Sequence, residues 1–107
     1  MEYYRTLLEE TRDHLKLYGV QDWPMRFDEW ISELDYIQPS KISAHAEHIK
    51  KAFGGMGSLN DIFICPQAGH NIPNDERLIK EANEKLSNLT NQLYNEVGRL
   101  TQKSQVQ

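Results

Sequence analysis

The chain has little of what reactive centres are usually made from. Only one of its 107 residues is a cysteine, Cys65, which excludes an internal disulfide and fits a reducing compartment. No apolar run approaches the ~18 residues that a membrane-spanning helix needs, and the opening Met-Glu-Tyr-Tyr lacks the basic-then-apolar order of a secretion signal. A cytoplasmic protein with no membrane contact is therefore expected. Positive charge is also short. Twelve basic residues face sixteen acidic ones, for a formal charge of -4, so non-specific affinity for nucleic acid or anionic lipid is not expected. No zinc-finger, RNA-binding aromatic motif or basic recognition helix is present.

What is present is helical periodicity. A content of 38% hydrophobic and 26% charged residues is globular, and a chain of this length buries roughly 65% of the surface its unfolded form exposes, enough for one core. Tyr4, Leu7, Leu8, Thr11, Leu15 and Tyr18 recur at threes and fours, predicting a helix over 2–18 that stops at Gly19. A second helix, 23–37, takes Asp22 as N-cap and Pro24 in its first turn, and buries Phe27, Trp30, Ile31, Leu34 and Ile37. A third, 41–53, is capped by Ser40 and turns Ile42, His45 or Ala46, Ile49 and Phe53 inward. The last and longest, 75–100, starts from a cap at Asn74 or Asp75 and carries Ala82, Leu86, Leu89, Leu93, Val97 and Leu100 on one side. Residues 101–107 hold too little apolar content to stay ordered unless they dock. The expected fold is all-α: a single four-helix bundle-like domain, 1–107, with a short irregular or β-hairpin insertion, 54–74, between helices three and four. Leu59, Ile62, Phe63 and Ile64 are expected to pack that insertion on the bundle.

The insertion is the least ordinary stretch. Four of the six glycines, Gly54, Gly55, Gly57 and Gly69, fall within it and flank Cys65. Glycine is used where the backbone takes positive φ or approaches another group closely, so a helix stop and a specified turn are expected after Phe53, then an extended run over 62–64 ended by Pro66. As a candidate loop site it offers Met56, Ser58, Asn60, Asp61, Gln67 and His70. The glycines lack the lysine and Ser/Thr of a phosphate-binding loop and do not lead from strand to helix; Met56-Gly57-Ser58 forms at most an anion-sized nest of N–H groups.

Two chemical constellations can be drawn from the same region. His45, His48, Cys65 and His70 are four potential zinc ligands, but without paired Cys-x-x-Cys or His-x-x-x-His spacing. Cys65 with His70 or His48 as base and Asn60 or Asp61 as orienting group would be a nucleophile set. Pro66 removes the next backbone N–H and with it the start of a thiolate-activating helix. The structural alternative makes Cys65 a buried small hydrophobe and His70 a donor to a loop carbonyl. Neither set is taken as catalytic or metal-binding, and no cofactor is expected. The paired carboxylates sit on polar faces, which leaves a protein contact as the main expectation. Asp28, Glu29, Glu33 and Asp35, with Arg26, form an acidic patch able to steer a basic partner. A homodimer of structural or regulatory role is the alternative.

The run Phe53-Gly54-Gly55-Met56-Gly57-Ser58-Leu59-Asn60-Asp61, followed by Ile64-Cys65-Pro66-Gln67 and Gly69-His70, resembles the central block of a family of small bacterial proteins of unknown function. In that family a helical N-terminal part leads into this block, and a long helix follows that starts near an Ala-Asn pair like Ala82-Asn83. Small acidic proteins of this kind resemble the immunity partners encoded beside bacterial toxins. The resemblance implies a protein partner, a toxin neutralised by covering its active site.

Overall fold

Helix α1 (Glu2–Leu17) ends where the backbone has to turn left-handed. Gly19 takes φ 68, its N–H donates to the Lys16 carbonyl at 3.1 Å and the Val20 N–H to the Leu15 carbonyl at 3.0 Å. These are the two bonds of a Schellman end, with buried Val20 against the α1 stripe. The structure, a computed structural model, describes residues 2–54 and 58–105. Its elements are α1, α2 (Trp23–Leu34), α3 (Ile42–Lys50) and α4 (Glu76–Gln105), with short 3₁₀ turns at Pro39–Lys41, Lys51–Phe53, Leu59–Asp61 and Pro66–Ala68.

Two of the expected caps fail for local reasons. Asp22 sits at φ 68, ψ -46 and makes no side-chain cap, because capping through the side chain needs an extended backbone at that residue. It is instead the centre of a tight turn in which the Trp23 N–H donates to the Gln21 carbonyl at 2.7 Å. Ser40 lies inside the 3₁₀ turn begun by Pro39, so α3 opens after that turn, at Ile42, one residue later than expected and without a side-chain cap. Helix α2 stops at Leu34, short of Ile37, as the N–H groups of Asp35 and Tyr36 bond back three residues to Ser32 and Glu33.

Asp75 does cap α4, its Oδ1 accepting from the N–H groups of Arg77 and Leu78 at 2.9 and 3.2 Å. Helix α4 continues as far as Gln105; Thr101 is buried, and its hydroxyl donates back along the helix to the Gly98 carbonyl.

Among the described residues there is no strand, so the hairpin form of the insertion is replaced by 3₁₀ turns and extended chain. The reason lies in Asn83 of α4. Its amide oxygen accepts from the Ile64 N–H at 2.7 Å, and its amide nitrogen donates to the Ile64 carbonyl at 2.9 Å and the Ile79 carbonyl at 2.8 Å. One side chain thus satisfies the backbone groups for which a partner strand would otherwise be needed. Leu59, Ile64 and Ile72 enter the core and Ile62 packs on it, but Phe63, expected inside, is 58% exposed.

A single core joins these parts. Helix α4 packs on both α1 and α3, and α2 closes on α1; Tyr4, Leu8, Leu15, Phe27, Ile49, Leu93 and Val97 are fully buried between them. Among the described residues no helix is long and apolar enough to cross a membrane.

Candidate functional site

The Cys65–His70 segment closes on itself. Pro66 starts a 3₁₀ turn, Gly69 ends it at φ 82, and its N–H donates to the Pro66 carbonyl. The Cys65 carbonyl accepts from the N–H groups of Ala68 and His70, while the Cys65 N–H donates to His70 Nδ1 at 3.1 Å. The His70 ring therefore acts as an acceptor, where a donor to a loop carbonyl was expected. Cys65 is half-buried, not buried. Next along, the Asn71 N–H donates to the Tyr18 carbonyl at 2.7 Å and fastens the loop to the end of α1. With the Asn83 clasp on Ile64, hydrogen bonds fix this block at both of its ends.

The other loop candidates divide. Asn60 Nδ2 donates to the Phe53 carbonyl at 2.8 Å and closes the end of the third helical segment across the glycines. Ser58 is buried, and its carbonyl accepts from the Asp61 N–H. Asp61 and Gln67 are exposed. Met56 lies outside the described residues.

The four candidate ligands are used separately. His45 is buried: Nε2 donates to the Trp30 carbonyl at 2.8 Å, which leaves Nδ1 to accept the Tyr4 hydroxyl at 2.7 Å. Glu33 Oε1 stands 3.7 Å from the same Nε2. His48 is exposed on α3. Among the described residues no three His, Cys, Asp or Glu side chains are grouped to hold a metal ion. For the nucleophile set, the His70 nitrogen nearest Cys65 is engaged with its backbone N–H rather than its sulfur.

The acidic patch is on the outside of α2. Asp28 and Asp35 are tied to α1, by Arg12 at 3.0 Å and Arg5 at 2.7 Å. Arg26 lies over the Trp23 ring, 4.7 Å from its centroid. Glu29 and Glu33 are exposed, between Met25 at 67% and Tyr36 at 85% exposure. Residues 25, 29 and 33 follow helical spacing on one side, and Tyr36 stands in the turn just past the end of α2. The flanking Met25 and Tyr36 were overlooked in the sequence because they fit no buried stripe.

Two further buried groups, His14 and Glu96, were missed, and Tyr4, expected on the buried stripe, has a shifted hydroxyl. His14 is buried, its Nε2 donates to the Ala82 carbonyl at 2.8 Å, and its ring meets Tyr18 edge-on. Burial pushes its pKa down, Lys85 adds to this, and the Ala82 bond opposes it. Tyr4 is raised by burial first, then by Glu33 and Glu96. Glu96 is itself buried on α4 and bonded to Arg99. Spacing could have found both missed groups: His14 stands three after Thr11, and Glu96 three after Leu93, each on the apolar stripe.

A family model described as a domain of unknown function (DUF6966) matches residues 16–73, more than half of the chain, from the end of α1 to the approach to α4. No curated protein and no solved structure matches.

Proposed function

The chain belongs to that uncharacterised family, and from this premise we propose that it is a protein-binding protein of the immunity type, which neutralises a toxin by covering its active site. The contact is the outward side of α2. The observation that carries this reading is the placement of Glu29 and Glu33 between the exposed Met25 and Tyr36. Methionine and tyrosine are enriched at interfaces, where each supplies large contact area. Two carboxylates between them select a basic partner and speed encounter with it.

Asp28 and Asp35 hold α2 to α1 and so belong to the frame, and Glu33 borders His45. The test therefore changes Glu29→Lys with Tyr36→Ala, which touch neither. Tagged wild-type protein and the double variant are compared in pull-downs from the source cells, with circular dichroism as a check on folding. The expected outcome is a basic protein captured by the wild type in a salt-sensitive manner and lost from the variant, its toxic activity blocked by an equimolar amount of the wild type. Equal capture by a folded variant overturns the α2 assignment; a captured partner whose activity is untouched overturns the immunity role.

A further inference from the structure

A cleft of about 420 Å³ lies between the end of α3 and the last turns of α4, lined by Lys50, Tyr94, Asn95, Gly98, Arg99 and Gln102 among others. In a chain of formal charge -4 its lining carries two cations, Lys50 and Arg99, and two amides; with the Glu96 carboxylate that pairs with Arg99 counted, the site keeps a net positive charge. Arg99 is pre-set. The buried Glu96 carboxylate takes its Nε at 2.8 Å and one Nη2 hydrogen. That occupies one edge of the guanidinium and leaves its remaining N–H groups for a second acceptor. Tyr94 is 48% exposed, with its ring propped against Phe53 at a centroid distance of 5.2 Å and an interplanar angle of 62°.

Gly98 is the independent sign. It is helical and not among the positive-φ glycines, and a Cβ built on it meets nothing within 4 Å. Neither backbone conformation nor close packing requires glycine there, and alanine would form the helix better. What the missing side chain does is keep the floor of the cleft open.

We propose that this cleft binds a small ligand bearing a phosphate group beside a flat ring, of the nucleoside monophosphate class. Lys50 and the free edge of Arg99 hold the phosphate, a dianion whose three acceptor oxygens can take charge-assisted bonds from both lining cations. Asn95 and Gln102 donate at its margins, and the ring lies on Tyr94. The volume falls within the ~300–1,000 Å³ typical of small-ligand pockets. No α2 residue takes part, so the proposal stands apart from the protein contact.

The test is a titration of ¹⁵N-labelled protein at constant ionic strength with adenosine monophosphate, inorganic phosphate and adenosine. Saturable shifts of the Asn95, Gly98 and Arg99 amides are expected with the monophosphate, weaker ones with phosphate and none with adenosine. Lys50→Gln should weaken binding by about tenfold, the loss of one charge-assisted contact. Gly98→Leu fills the floor and should abolish binding while the helix signal is kept. Absence of shifts with both phosphate compounds, or equal binding by the wild type and both variants, overturns the site. Equal affinity for phosphate and the monophosphate overturns the ring assignment.

Discussion

At the scale of single residues, Asn83 does most to shape the molecule. Its amide engages three backbone groups, two of them on Ile64. Replacing it with alanine strands a buried residue's N–H and C=O, so Asn83→Ala is expected to cost about 2–3 kcal/mol in urea unfolding. Amide exchange at Ile64 should also quicken more than in the rest of the core. His14 makes stability depend on pH. Its folded pKa lies below the ordinary 6.5 through burial, so as pH falls the unfolded chain takes up the proton first. Its contribution is complete above 6.5 and declines as pH drops through that value toward the folded pKa. Between about pH 7.5 and 5.5 the melting temperature should therefore fall further in the wild type than in His14→Gln, as read by thermal scanning. Burial of His14 was legible in the spacing of Thr11, His14 and Tyr18. The role of Asn83 was not, because a side chain standing in for a strand is a contact between positions nineteen apart and leaves no local pattern.

At the scale of elements, periodicity located all four helices, since three- and four-residue spacing of large apolar side chains survives any detail of the ends. The ends themselves depend on single φ/ψ values. Gly19 declared its left-handed turn by its identity, whereas Asp22 adopts the same φ with a side chain that suggested a cap. Gly19→Ala is thus expected to destabilise by about 1 kcal/mol, because the alanine Cβ is strained at positive φ. Gly98→Ala should do the reverse, stabilising by roughly 0.5–1 kcal/mol, since nothing crowds its Cβ. Denaturant midpoints of the two variants, moving in opposite directions, check both. The ion pairs of Arg5 with Asp35 and Arg12 with Asp28 join α1 to α2 through partly exposed groups. Such pairs contribute up to ~1 kcal/mol each.

At the scale of the whole molecule, α4 sets the form. Thirty helical residues extend about 45 Å, close to the 50 Å long axis of a body 24 and 23 Å across. Helices α1 and α3 lean on it, and α2 reaches the core mainly through α1. Phe63 was misplaced because it neighbours Ile62 and Ile64 in an apolar run, and in extended chain adjacent side chains point opposite ways. That alternation became readable only once Asn83 fixed Ile64 inward. One further consequence comes from α2. Both tryptophans, Trp23 and Trp30, ride on this helix, so ultraviolet emission watches one rod, while far-ultraviolet ellipticity sums all four and draws its largest single share from the thirty-residue one. If a single greasy interior binds the two, both optical signals must vanish at the same urea concentration; emission that changes first would mean the tryptophan-bearing rod peels away from a still-coiled remainder.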